Sequence, residues 1–280
     1  MNNKEQFSDE LYQLNESETK DLLIQLGDHY ISYAVINPEQ KILHYLARTK
    51  VNPELSLQQN LDNLIELNTD LTLKYRKVKI CVDTNRFTFI PEDLFDENLI
   101  DEYAHFINSD TNSKINVASL GDLAIKNVFA INHELSENLQ LRFDKPSVST
   151  SICPFLSACY ILLTADPSEL FINFNEKSFG AAYFVDGDFI FYNQFEFETQ
   201  EEFNYYLLNL INQLEIHLAT CKVRISGNSD QRAQNKSVIE KYFLEISQPD
   251  VNQILQTSSS ISSKADLQSY FNLISLSLCE

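Results

Sequence analysis

Two segments of this chain follow one plan. Leu23-Ile24-Gln25-Leu26-Gly27 opens an apolar stretch that runs to Thr49, and Phe171-Ile172-Asn173-Phe174-Asn175 opens a similar stretch that runs to Thr199. Each is followed by an amphipathic helix pattern and then by a short β-branched strand. That strand is Val78-Lys79-Ile80-Cys81-Val82 in the first copy and Val223-Arg224-Ile225-Ser226 in the second. Ile24 to Ile172 is 148 positions, and Ile80 to Ile225 is 145. Two independent segments with nearly equal offsets predict an internal duplication, with two facing halves and a cleft between them.

A chain of 280 residues is long enough for two domains. With 44% hydrophobic residues, thirteen Tyr and nineteen Phe among them, it can bury real cores. No apolar run reaches the ~18 to 20 residues of a membrane span. Residues 1–20 are polar and acidic and carry neither a positive n-region nor an apolar h-region, so they read as a mobile tail. These features predict a soluble cytoplasmic protein with no membrane insertion. The net charge of −19 repels phosphate backbones and argues against nucleic acid as a direct partner. It suits solubility, or a basic protein partner steered by the field.

The five cysteines, Cys81, Cys153, Cys159, Cys221 and Cys279, form no C-x-x-C pair, and no His lies near them at metal-ligand spacing. An odd, unpatterned set suits a reducing compartment. There is no Walker loop, G-x-G-x-x-G, paired-carboxylate motif or nucleophile triad.

Along the chain, strands are expected through Ile31–Val35, Ile42–Ala47 and Val78–Val82, with a helix carrying Leu57, Leu61, Leu64 and Ile65 between the last two. Pro91-Glu92-Asp93 reads as a helix start. Strands follow at Ile115–Leu120 and Val128–Ile131, a helix at Leu135–Phe143, a strand at Val148–Cys153, and an apolar helix from Pro154. Residues Phe179–Val185 and Phe189–Phe197 flank Asp186-Gly187, a two-residue hairpin turn in which Gly187 takes positive φ. A helix with Phe203, Leu207, Leu210 and Ile211 on one face comes next, and then a strand, a charged helix to Phe243, a Ser-rich loop at Thr257–Ser263 and a final helix over Leu267–Leu278.

This order of strand, strand, strand, helix, strand, occurring twice, resembles the duplicated ribonuclease-H-like domains of the actin-like ATPase superfamily. It is most similar to the FtsA-like and PilM-like branch. Val128 to Phe143, then Val148 to Pro154, then Phe171 to Phe197 follow that branch's sequence of elements, and Ser226-Gly227-Asn228-Ser229 falls where its adenosine-side glycine turn stands. The chain also looks like an uncharacterised bacterial family with this fold and no assigned activity. The resemblance implies an α/β protein of two ribonuclease-H-like domains, with mixed sheets flanked by helices. The first spans 21–150 with an inserted subdomain at about 84–150, and the second spans 151–280.

The resemblance also marks where a nucleotide site would stand. Active members carry Asp-x-Gly-type turns, in which the glycine admits the phosphates and the carboxylate holds hydrated Mg²⁺. This chain has Gln25-Leu26-Gly27 at the first turn and Asn173-Phe174-Asn175 at the second, with Gly227 and Asn228 at the third. Asp83, at the end of a strand, is either a carboxylate facing the cleft or a residue that turns the chain. Gln25, Asn173 and Asn175 either bind a ligand or satisfy local backbone groups. Three readings follow. One is a degenerate actin-like protein without ATPase activity, needing no cofactor and serving as a protein-interaction scaffold. Another is a divergent ATPase or small-molecule kinase using ATP and magnesium, and the third is a different α/β fold.

Overall fold

A computed structural model describes residues 4–9, 14–107 and 112–279. The chain forms two compact units. The first comprises Met1–Ser157, Asn252–Ala265 and Asn272–Glu280, and the second Ala158–Val251 and Asp266–Phe271. The first unit thus runs to Ser157, and two stretches beyond 251 belong to it as well.

In the first unit, β1 (Lys4–Ser8), β2 (Asp21–Leu26), β3 (Tyr30–Asn37) and β4 (Ile42–Lys50) are joined by α1 (Leu57–Leu67) and β5 (Lys77–Val82). Then come β6 (Phe87–Pro91), α2 (Ile100–Phe106), β7 (Ser113–Leu120), β8 (Ile125–Asn132), α3 (His133–Arg142) and β9 (Ser147–Thr150). The main sheet runs β1-β4-β3-β2-β5-β9. Its β2, β3 and β4 are antiparallel, while β5 and β9 run parallel to β2. All but Gln25 of β2 is buried, and Ile31 through Ile36 of β3 are buried without a break. Continuous burial marks a sheet covered on both faces. Ile24, Tyr33, Val35 and Ile80 share a core with Leu61, Leu64 and Ile65 of α1 and with Leu135 and Leu139 of α3. Ser56 starts α1 through a capping box with Gln59, which satisfies two otherwise unpaired backbone donors.

Between β5 and β9, β6-β8-β7 form a separate antiparallel sheet of three strands. This sheet lies within the stretch expected as an insertion, but α3 and β9, at its C-terminal end, belong to the main core and main sheet. Pro91 caps a short 3₁₀ helix over Glu92–Leu94, with both acids in its first turn. It also ends β6, pairing opposite Ile125. An edge strand tolerates its missing N–H, and α2 begins only at Ile100.

Residues 4–8, expected within a mobile tail, add to β4 as an antiparallel strand in which Glu5 meets Arg48 at 2.9 Å. The alternation of Gln6, Phe7 and Ser8 was too short to be read as a strand without the partner that completes it. Residues 1–3 and 10–13 of the expected tail lie outside the described residues.

The chain enters the second unit through α4 (Ile152–Ile161), whose Pro154 lies in the first turn, where no backbone N–H is needed. There follow β10 (Ser168–Phe174), β11 (Ser178–Val185), β12 (Asp188–Glu196), α5 (Gln200–Gln213), β13 (Cys221–Gly227), α6 (Ser229–Ile239) and β14 (Glu245–Ser247). The sheet order is β12-β11-β10-β13-β14. The sequence of pairings repeats the first unit: Ile24 stands opposite Ile80 there, and Ile172 opposite Ile225 here. Asp186 and Gly187 take φ of 50° and 89°, the positive values of the tight hairpin turn that matches strand twist. Phe174, Phe179, Phe197 and Phe203 form the aromatic centre of the core. Glu169 and Arg224 are buried as an ion pair at 2.7 Å.

Of the remaining residues, Asn252–Ala265 and Asn272–Glu280 belong to the first unit and Asp266–Phe271 to the second. β15 (Gln256–Thr257) runs parallel beside β4, and α7 (Ser259–Ser262) occupies the stretch expected as a Ser-rich loop. The expected final helix is broken: a 3₁₀ turn at Leu267–Tyr270, α8 (Phe271–Ser275) and a second 3₁₀ turn at Leu276–Leu278. The buried Lys79 amine donates to the carbonyls of Ser277, at 3.1 Å, and Cys279. Among the described residues no helix is long and apolar enough to cross a membrane.

Candidate functional site

The candidate residues gather in two places, one in each unit. In the first, β2 ends at Leu26 and the chain turns back at once into β3. Gly27 donates its N–H to the Tyr30 carbonyl at 3.0 Å, and Asp83, just past β5, donates its N–H to the Leu26 carbonyl at 2.9 Å. Close approach favours glycine here, since a side chain would displace the Asp83 carboxylate. A Cβ on Gly27 would stand 2.7 Å from Asp83 Oδ2 and 3.1 Å from the Tyr30 oxygen. The Asp83 carboxylate therefore occupies the space that the glycine leaves open. Its Oδ1 accepts from Gln25 Nε2 at 3.3 Å, and the Ser151 hydroxyl also donates to the carboxylate. Burial raises the Asp83 pKa to about 6, against the pull of the hydrogen bonds from Ser151 and Gln25, and the nearby Asp28 adds to the rise.

Asp83 also borders a cavity of about 330 Å³ within the first unit, lined by Ser56, Arg86, Asn132, Glu134 and Leu135 among others. Ser56 and Asn132 are the N-caps of α1 and α3, and each already accepts from its own helix, Ser56 from Gln59 N–H and Asn132 from Leu135 N–H. The cavity thus carries charges of both signs rather than a set of open anion donors.

The second place repeats the first in different residues. Asn175 stands where Gly27 does, and its N–H donates to the Ser178 carbonyl at 2.8 Å. Its side chain donates to the Ser178 hydroxyl at 3.2 Å, which also receives Gln194 Nε2 at 3.2 Å. Asn173, buried at the position equivalent to Gln25, accepts from the Ser226 hydroxyl at 2.9 Å. Asn228 matches Asp83, because its N–H donates to the Phe174 carbonyl at 2.7 Å. Its side chain caps α6, accepting from the N–H groups of Asp230 and Gln231. Gly227 has φ of 89°, and a Cβ there would lie 2.0 Å from the Phe174 oxygen.

The structure therefore sets Gln25 and Gly27 each beside Asp83, and it places Asn173 and Asn175 at the end of β10 beside Gly227 and Asn228 at the end of β13. Sequence reading missed Ser151 and Ser178, and it placed Ser226 in the third turn without its bond to Asn173. The correspondence of Asp83 with Asn228 was legible, since their separation of 145 positions equals that of Ile80 and Ile225.

The family described as "Protein of unknown function (DUF3822)" matches residues 9–246. The chain belongs to this family. No curated protein matches it. Among solved structures, it is similar to a protein from Bacteroides thetaiotaomicron described as having an actin-like ATPase fold and unknown function. The identity is 20%, with 96% of this chain and 100% of that chain covered and a TM-score of 0.82. The PilM–PilN type IV pilus biogenesis complex is similar at 11% identity, with 93% of this chain and 98% of that chain covered and a TM-score of 0.64. This DUF3822 chain thus has the actin-like ATPase fold, with two ribonuclease-H-like domains whose mixed sheets are flanked by helices, as the order of its elements implied. At these identities the likeness bears on fold alone.

Proposed function

We propose that this DUF3822 protein is a degenerate actin-like protein without ATPase activity, a scaffold in the cytoplasm that binds another protein. One observation carries the reading. At both turns, the groups that a metal-bound triphosphate would need are already hydrogen-bonded within their own unit. Gln25, Asn173 and Asn175 are neutral amides where the metal would need a carboxylate. The first turn holds two acids: Asp83, whose oxygens face Gln25, Ser151 and the Gly27 backbone, and Asp28, which is exposed just after Gly27. Asn228 satisfies the first amides of α6, which removes the donors that a helix N-terminus offers to phosphate. Gly227 is required by the Phe174 backbone, so its presence needs no ligand to explain it. These donors do not suit magnesium, which takes oxygen ligands and is usually held through one or two carboxylates. The electrostatic stabilisation that dominates phosphoryl transfer then has no anchor. That PilM, which shares the fold, occurs in a complex with PilN lends support to a protein-binding role.

Calorimetry with Mg-ATP tests the reading. The expected result is no binding in the micromolar range and no thermal stabilisation, whereas a ligand at a hundredfold its dissociation constant would add about 2.7 kcal/mol. Micromolar binding that Asp83→Asn or Gly27→Val abolishes would overturn it in favour of a divergent ATPase or small-molecule kinase.

A further inference from the structure

The two units share a strand order, but they treat one edge of it differently. In the first unit, the outer side of β4 is covered by β1, antiparallel, and by β15, parallel. The equivalent strand of the second unit is β12, which is nine residues long and pairs with β11 alone among the described strands. A long edge strand is a template for another chain, and proteins usually blunt it with Lys, Pro or a covering segment. Among the described residues β12 carries no Lys, Pro or covering segment, and its register with β11 shifts at Ile190, which has no partner there. Ile190 is 51% exposed, and Tyr205, which packs through Tyr206 onto Phe195 of β12, is 61% exposed.

Charge selects the occupant. From Ser178 to Cys221, a stretch that includes β11, β12 and α5, there are seven Asp and Glu and no Lys or Arg. Asp188 and Glu196 stand exposed at the two ends of β12, with Asp186 and Glu198 just beyond. An antiparallel second copy of β12 would set Asp188 against Glu196 at both ends, and like charges directly opposite destabilise a strand pair. The β1 strand of a second copy is also a poor match, because its Glu5 relies on Arg48 of β4, and β12 has no cation to offer. The strand that fits carries Lys or Arg at both ends and apolar residues between.

We propose that the outer edge of β12 is a docking site for an extended basic segment of a partner protein, which adds to the sheet as a sixth strand. Main-chain hydrogen bonds supply affinity in this mode, and the flanking acids supply selectivity. The proposal rests on the scaffold reading and names the place and chemistry of its partner.

The test is amide hydrogen exchange on the full chain with the peptide Lys-Val-Thr-Val-Thr-Val-Lys as probe. The expected result is protection of residues 188–196 that fades as salt is raised. The same peptide with Glu at both ends should protect nothing. The double substitution Asp188→Lys, Glu196→Lys alters two exposed side chains, so melting should be unchanged while affinity for the Lys-ended peptide falls about tenfold or more. Absent protection at 188–196, protection elsewhere only, or equal protection by the Glu-ended peptide would overturn the proposal. So would concentration-dependent protection without peptide, which would make a second copy the occupant. Mg-ATP binding, which would overturn the scaffold reading, is read by separate titration and leaves this measurement independent.

Discussion

Gly227 and Gly187 share a φ of 89° but differ in what surrounds them. A Cβ on Gly187 meets nothing within 4 Å, whereas one on Gly227 would lie 2.0 Å from the oxygen, 2.6 Å from the nitrogen and 2.8 Å from the carbonyl carbon of Phe174. Gly187→Ala should therefore cost only the left-handed backbone of an L-residue, about 1–2 kcal/mol. Gly227→Ala adds an overlap with a buried strand that cannot step aside. Phe174 is 1% exposed and its ring touches Phe179, Phe197 and Phe203. Its carbonyl also accepts the Asn228 N–H that starts α6. Overpacking of this kind costs about 1–3 kcal/mol more, so the two variants should differ by at least about 1 kcal/mol. Hydrogen exchange of β10 and β13 amides under increasing urea reads the second unit alone and avoids assuming one cooperative transition for a two-unit chain. Equal losses in the two variants would refute the claim that Gly227 exists for the Phe174 backbone, and would reopen a ligand as its reason.

Two further outcomes follow from buried charge. Arg224→Ala leaves the Glu169 carboxylate, which is 1% exposed, with only the Thr164 N–H and hydroxyl as partners, and should cost about 3 kcal/mol; a loss under about 1 kcal/mol in urea unfolding would show that the pair is not desolvated. For Asp83, the folded pKa of about 6 lies above the unfolded 3.8, so the folded state holds its proton longer and stability falls as pH rises through that window. Asp83→Asn removes the penalty: it should match the parent at pH about 3.5 and exceed it by on the order of 2–3 kcal/mol above pH about 7. A gain that does not vary with pH would refute the assignment.

The duplication was legible because both central strand pairs are β-branched and apolar, and burial on both faces leaves little freedom in that composition. Ile24, Ile80, Ile172 and Ile225 sit opposite one another in pairs, as their offsets implied. The Asp186-Gly187 turn was legible because two residues with positive φ allow few sequences. Long-range pairing was not. Residues 4–8 and 256–257 become strands only because β4 lies beside them, and nothing local distinguishes them from loop. Pro91 both ends β6 and caps the short 3₁₀ helix that follows, and only the second role was legible, because the first depends on the distant β8. What the candidate side chains bond to was not legible. Whether an Asn binds a ligand or a neighbouring serine depends on Ser178, Ser226 and Ser151, and serine carries no signal of its own.

The first unit's composition orders events on the ribosome. Its main sheet spans 4–150, yet β15 and the carbonyls that receive the Lys79 amine come from 256–279. Those residues leave the ribosome only after every strand of the second unit's sheet has been made. At about 5–20 residues per second, the nascent chain carries a half-covered β4 and an unpartnered, nearly buried lysine for seconds. The half synthesised first is therefore finished last, and it waits in the form most open to misassembly.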